Sequence, residues 1–392
     1  MSGTAGEKRG SDRFLALDSI RGILACTIVI YHMPSQGWLW TLSYIRHGML
    51  AVTFFFVLSG FVIGNTYGAR LAKGFPILRF LGLRLGRIYP LHLFMIGVLI
   101  AWQLARLAFH MGGFRSDPPF AGHFDPALLP YHILLLQKFG PILGWNDPSW
   151  SIGVEWWTYV AFAAVAALVG ARSSLITAAI LILPWAAAHA VREPLGMGLD
   201  ATLDCMMSFG LGLIVCEARR WKAWRVTDRL GRTSGTAIEI VAVAVALWMI
   251  AIFGGKLSLL IAPTFALVLA VFSLERGLLS RLLMTAPCLL LGELSYSIYM
   301  IHHFILDRAM DLVWGFGAKL DLPMRTTDMG RTVLVGSPLA CDLLSIAVVA
   351  TTVGCSLLSY RYVEKKARLW SRRLLNPDHS EKVVPRDPPA AF

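Results

Sequence analysis

Four groups of residues in this chain have the types and spacing for acid–base or anion-binding chemistry. The first lies in LDSIRGILACTIVIYH, where Asp18 and Arg21 are three apart and His32 follows Arg21 by eleven. On a helix the first two pair along one face, and eleven residues make about three turns, roughly 16 Å. The second is PSWSIGVEWW. Ser149 after Pro148 has the place of an N-cap, and Ser151 and Glu155 share a face beside Trp150, Trp156 and Trp157. A carboxylate among tryptophans is partly desolvated and can accept or share a proton. The third is LGELSYSIYMIHHF, where Ser295, Tyr299 and His302 recur at four and then three residues, one polar stripe on an apolar helix. The fourth is Arg79, Arg84 and Arg87, whose guanidinium forks suit phosphates. Ser59–Gly60 within FFFVLSGFVIG adds a small, close-packing pair. Each group also has a bland reading: a charge pair that locks packing, an aromatic belt, or attraction to anionic lipid headgroups. Taken together, His32, Glu155 and His302 fall at similar depth and suggest a pocket where an incoming group loses a proton.

Helices in lipid must position these groups. The chain has 392 residues, 56% hydrophobic and 15% charged, with a net charge of +12 and a mean hydropathy of +0.62. An ordinary soluble domain is about a quarter charged, so soluble, disordered and disulfide-rich secreted classes are excluded. The basic balance does not call for nucleic acid, because bilayer topology also uses Lys and Arg. The six cysteines are scattered, with no CxxC pair and no metal-ligand spacing, so no metal is expected. Apolar runs at 14–33, 49–66, 89–109, 150–170, 174–190, 200–216, 236–253, 257–273, 287–306 and 338–359 predict about ten transmembrane helices in an all-α integral membrane protein. With both termini cytoplasmic, 25 Lys and Arg residues fall inside and 10 outside, as the positive-inside rule requires.

The expected organisation is a cytoplasmic N-terminal tail at 1–13, a transmembrane domain at 14–370, and a disordered cytoplasmic tail at 371–392. The basic start resembles a signal peptide, but Asp18 and Arg21 interrupt the apolar run, so it reads as a retained first helix. Arg70 to Arg87 suits a cytoplasmic interfacial helix, and Leu128–Leu136 a short re-entrant piece in a Gly/Pro-rich outer loop. No internal repeat is evident, which weakens the rival reading of a transporter or flippase for a lipid-linked glycan. Motifs for nucleotide hydrolysis, Rossmann binding, zinc or nucleophile elbows are absent.

At these residues the chain resembles the acyltransferase family 3 membrane proteins, which include O-antigen and exopolysaccharide O-acetylases. Leu17 to Gly22 followed by His32 is similar to the family opening, FFFVLSGFVI at 54–63 to its second-helix motif, and RLGRIYPLHL at 84–93 to its arginine-rich motif. WSIGVEWWTYV at 150–160 and LGELSYSIYMIH at 291–302 resemble two further motifs. Members often carry Glu-x-Pro near the last span, whereas here Glu364 is followed by Lys365 and Lys366, which bears on local geometry there. The chain also resembles the stand-alone form, without a fused extracytoplasmic domain.

The resemblance implies transfer of an acyl group, usually acetyl, from cytoplasmic acyl-CoA (acetyl-CoA) to a hydroxyl of a carbohydrate or similar acceptor at the inner (plasma) membrane. In that scheme His32 is the general base, or carries the acyl group itself. Glu155 tunes it, while Arg21, Arg79, Arg84 and Arg87 hold the donor. Ser151, Trp150, Tyr299, His302, Asp18 and Ser59 are the substrate and oxyanion candidates. Membrane lipids, and a homo-oligomer or glycan-synthesis complex, complete the expected partners; nucleic acid is not among them.

Overall fold

Backbone polar groups in a bilayer have no water to bind, so apolar segments close their hydrogen bonds internally and form helices. The computed structural model describes residues 13–111, 117–169, 174–191, 196–254, 258–320, 322, 324–328 and 331–375. The expected N-terminal tail up to residue 12 and the tail beyond 375 lie outside the described residues, as does Arg172. Helices occur at each of the ten apolar runs. These are α1 (Leu15–Tyr31), α2 (Leu50–Ile63), α3 (Ile77–Phe109), α4 (Trp150–Val169), α5 (Ser174–Val191), α6 (Met197–Ala218), α7 (Arg232–Phe253), α8 (Ser258–Phe272), α9 (Ala286–Lys319) and α10 (Pro338–Ser359). A further helix, α11 (Lys365–Leu375), follows α10 through a π-helical turn at Tyr360–Glu364. Among the described residues, seven helical stretches are long and apolar enough to cross a membrane, and two shorter apolar helices lie at Ser174–Ala190 and Leu260–Phe272. Large apolar side chains such as Leu107, Leu183, Trp248, Leu343 and Leu358 project outward. The chain is an all-α, multi-pass membrane protein.

Contacts sort the helix ends into two groups. At one end, the Ala16 amide donates to the Glu275 carboxylate just past α8, and Arg219 at the end of α6 donates to the Ser273 carbonyl. At the other end, the Trp38 and Leu39 amides, beyond α1, donate to Asp342 near the start of α10. There too Asn146, ahead of α4, donates to the Met300 carbonyl of α9.

At two helix crossings among the described residues, glycines on both helices bring backbone against backbone. A Cβ on Gly22 of α1 would lie 2.3 Å from the Leu291 backbone of α9, and one on Gly292 would lie 2.6 Å from the Asp18 carbonyl oxygen. Likewise a Cβ on Gly60 of α2 would sit 1.9 Å from the Phe209 carbonyl oxygen of α6, and one on Gly212 would sit 2.0 Å from that of Val57. Small residues let helix backbones approach where lipid supplies no hydrophobic drive. Ser59–Gly60 is therefore a close-packing site.

Several expectations are corrected. The basic segment at 70–87 is not a separate interfacial helix: Ala69–Ala72 caps the α2 stretch, and from Ile77 the chain is already α3, which continues through Pro90. Pro removes one backbone bond, which a helix in lipid tolerates without ending. Residues 371–375, expected in a disordered tail, belong to α11, and Leu375 packs against Gly82. A small antiparallel hairpin, β1 (Arg325–Asp328) and β2 (Arg331–Leu334), is added to the helical plan. The segment Leu128–Leu136, expected as a short re-entrant piece, lies in short helical turns at Pro126–Leu128 and Leu129–Ile133.

Gly60→Ala should separate α2 from α6 and destabilise the protein by about 1–3 kcal/mol. Gly97→Ala, with no atom within 4 Å of its Cβ, should leave stability unchanged. Thermal unfolding of both variants in one detergent checks this pair.

Candidate active site

The polar stripe of α9 is where the sequence groups meet, and each member has a partner on another element. Arg21 Nε donates to Ser295 Oγ at 2.7 Å, and an Arg21 terminal nitrogen donates to the Gly292 carbonyl at 3.1 Å. Asp18 holds the same guanidinium at 3.5 Å and is itself held by Arg13 at 2.7 Å. One turn on, Ser151 Oγ and Tyr299 OH are 2.8 Å apart, and Tyr299 donates to the Pro148 carbonyl at 2.9 Å. At the end of the stripe, His302 Nε2 lies 3.2 Å from His32 Nδ1.

The carbonyl partners decide the histidine tautomers, because a carbonyl can only accept. His302 Nδ1 is 2.7 Å from the Tyr299 carbonyl and carries the proton, leaving Nε2 as acceptor. His32 Nδ1 is 3.0 Å from the Ile28 carbonyl and also carries a proton, which it shares with His302 Nε2. The lone pair of His32 is therefore on Nε2. His303 packs edge-on against His32 with ring centroids 4.5 Å apart, and its Nδ1 lies 4.0 Å from Asp147. Among the described residues, His32, His302 and His303 have ring nitrogens within 4.8 Å of one another, a spacing that a divalent ion could use.

Glu155 belongs to a different cluster from the one expected. Its carboxylate accepts from Ser59 Oγ at 2.6 Å and Tyr159 OH at 2.5 Å, and no described hydrogen bond joins it to His32. The reason is depth: Glu155 is five residues into α4, about 7 Å below its start, whereas His32 ends α1. Glu155 instead lines a cavity of about 110 Å³, with Arg21, Arg84, Arg87, Ser59 and Tyr299 among its walls. Arg84 reaches Tyr67 OH at 3.4 Å, while its buried Nε has no hydrogen-bond partner among the described residues. A second small pocket of about 40 Å³ adjoins through Arg84 and Arg87 and adds Arg368 and Arg372 of α11. Glu364 at the π-helical turn is buried, accepts from Ser297 Oγ at 2.9 Å and pairs with Arg368 at 3.5 Å.

Other candidates fall outside these walls. Arg79 packs over the Phe75 ring and does not line either pocket. Trp150 stacks edge-on with Phe56 and under Lys138. Ser149 is not an N-cap: its hydroxyl donates to the Asn146 carbonyl and receives Gln137. Behind it, burial and the neighbouring His92 imidazole push His132 down to about 4, so this loop histidine stays neutral. Tyr159, His303, Arg368 and Arg372 were not among the sequence candidates. Tyr159 stands four after Glu155, and Arg368 and Arg372 are also four apart, so helical spacing offered a signal for both.

A family model described as an acyltransferase domain matches residues 14–360. Acyltransferase MdmB of Streptomyces mycarofaciens is 28% identical over 330 residues, covering 77% of this chain and 78% of the relative. Protein 2 in the picA locus of Rhizobium radiobacter is 39% identical over 99 residues, 23% of this chain and 46% of its own. No solved structure matches the chain.

Ser59→Ala and Tyr159→Phe each remove one donor from the Glu155 carboxylate. Each should cost about 1.5–3 kcal/mol, the range for hydrogen bonds to charged groups. Because they share one acceptor, the double variant should lose less than the sum of the two. A thermal-unfolding double-mutant cycle in detergent measures the difference.

Proposed function

Because this chain belongs to the acyltransferase family, we propose that it moves an acyl group from acyl-CoA, acetyl-CoA in the simplest case, to a hydroxyl of a cell-envelope carbohydrate or similar acceptor. The observation that carries this reading is the α9 stripe, which joins a half-buried arginine cluster at one end of the bundle to a histidine pair toward the other. The arginine end takes the donor. Guanidinium forks match the CoA phosphates, and the buried Arg84 Nε offers such a group a donor that has no hydrogen-bond partner among the described residues. By the positive-inside rule this end faces the cytoplasm, where acyl-CoA is made. The ten-span layout then puts both termini on that side of the inner membrane.

The histidine end takes the acceptor. From Ser295 to His302 is seven residues, about 10 Å of helix, and the cavity already reaches Tyr299 and Ser151. His32 Nε2 removes the acceptor hydroxyl proton as that oxygen attacks the thioester carbonyl. The carbon–sulfur bond then breaks, and the proton returns from His32 to the departing thiolate. The Ser151 hydroxyl, free to rotate between Tyr299 and the Pro148 carbonyl, meets the charge that develops on the carbonyl oxygen, and Tyr299, whose proton is held by Pro148, positions it. His302 is a positioning residue, because its neutral ring has no spare N–H to give an oxyanion once Nδ1 is bound to the Tyr299 carbonyl. Glu155, with Ser59 and Tyr159, shapes the donor cavity rather than tuning His32. Arg21 ties that cavity to the stripe.

Membranes bearing the protein should consume acetyl-CoA only when the acceptor glycan is present. His32→Ala should lower transfer by about 10²–10⁴-fold, the usual span for a lost general base; full activity in this variant would refute the assignment. Arg84→Gln with Arg87→Gln should raise the donor KM at least tenfold while kcat changes little.

A further inference from the structure

At the same end of the bundle a larger pocket of about 570 Å³, lined by Tyr31 and Pro34 on either side of His32 in the chain but not by His32 itself, belongs to neither the stripe nor the arginine cluster. Its walls include Tyr31, Trp40, Arg46, His47 and Arg331, and among the described residues no Asp or Glu lines it. The volume is that of a small-ligand site. The wall chemistry has two parts. Trp40 and Tyr31 have ring centroids 6.3 Å apart, tilted by 38°; Tyr31 is buried and Trp40 half-buried, so Trp40 is the ring open to the apolar face of a sugar. Arg331 donates to Tyr31 OH at 2.8 Å and lies 5.0 Å over that ring, so its remaining N–H groups stay available. Arg46 is exposed and makes no hydrogen bond or ion pair among the described residues.

These walls are built, and they are fastened to the catalytic histidine. Asp342 accepts from the Trp38 and Leu39 amides and anchors the short helix Trp38–Thr41 that carries Trp40. Strand β2, which carries Arg331, is pinned to the segment after His32: the Leu334 amide donates to the Pro34 carbonyl at 2.9 Å, and the Gln36 amide donates back to Leu334 at 3.1 Å. His47 Nδ1 is held by the Ser43 carbonyl at 2.8 Å. Tyr31 is the chain neighbour of His32, and the two rings meet edge-on at 4.9 Å.

We propose that this pocket seats the acceptor, and that the acceptor is a carbohydrate bearing an anionic group, a carboxylate or a phosphate. Trp40 takes the sugar face, Tyr31 holds Arg331 in place, and the Arg46 and Arg331 guanidiniums take the anion. A hydroxyl of the same sugar is thereby presented to His32. The proposal rests on the acyl-transfer reading above, so its test reads binding, which requires no transfer.

Full-length protein in nanodiscs of uncharged phosphatidylcholine is titrated with a glucuronate-containing tetrasaccharide and with the same tetrasaccharide carboxyl-reduced to glucose, followed by calorimetry. The acidic sugar should bind at least tenfold tighter than the neutral one. Arg331→Gln and Arg46→Gln should each erase most of that preference, Trp40→Ala should weaken both sugars, and acetyl-CoA binding should be unchanged in all three. Equal binding of the two sugars, or no binding of either, overturns the proposal. So does loss of acidic-sugar binding when the nanodiscs contain phosphatidylglycerol, because the pocket would then be a lipid-headgroup site. Retained sugar binding with a fully active His32→Ala variant would instead refute the base assignment and leave this site standing.

Discussion

Inside a lipid-embedded bundle a polar side chain finds its partner in the protein or leaves an unsatisfied group in a medium that makes it costly. α9 stacks three such side chains on one face, Ser295, Tyr299 and His302, and the structure answers each with a partner from elsewhere in the chain: Arg21, Ser151 and His32. That requirement sets which helices adjoin α9 and at what height. It also explains why the first helix, though only 17 residues long and carrying Asp18 and Arg21, belongs at the centre of the assembly rather than at its rim.

Polar bridges of this kind need close backbones, and glycine provides them. Arg21 reaches Gly292 because Gly22 and Gly292 let α1 and α9 touch at that level. The same device operates between α2 and α6, where Gly60 and Gly212 meet next to Ser59, which hydrogen-bonds Glu155. Packing and chemistry are thus coupled at neighbouring positions: the residue that permits contact stands beside the residue that uses it. The His32 tautomer follows in turn, since Ile28 and Tyr299 carbonyls dictate where the ring protons sit.

Much of this was readable from the chain. The apolar runs located the helices because about 20 apolar residues can satisfy themselves in lipid only as helix. The four-then-three spacing located the stripe because helical residues at those steps share a face. Less was readable where the outcome depended on depth between helices far apart in sequence. His32 and Glu155 looked level, yet α4 carries Glu155 below its start, to Tyr159 and the arginine cavity. Arg368 and Arg372 looked like a polar tail, because only the packing of α11 against α3 brings them to Arg84 and Arg87.

The amino-acid sequence by itself determined the class of the molecule, the place of its apolar helices, and the residue types with chemistry suited to moving a proton or holding a phosphate. These are properties of composition and local period, and a helix expresses them without help from its neighbours. The tertiary structure alone decided which of those residues meet. Contact between helices depends on how closely each pair packs and how far each slides along the other, and those are fixed by glycine crossings and cross-helix hydrogen bonds 100 to 274 residues apart in the chain. Hence the histidine pair, the Glu155 triad and the basic-aromatic pocket beside Tyr31 emerged only once the helices were assembled.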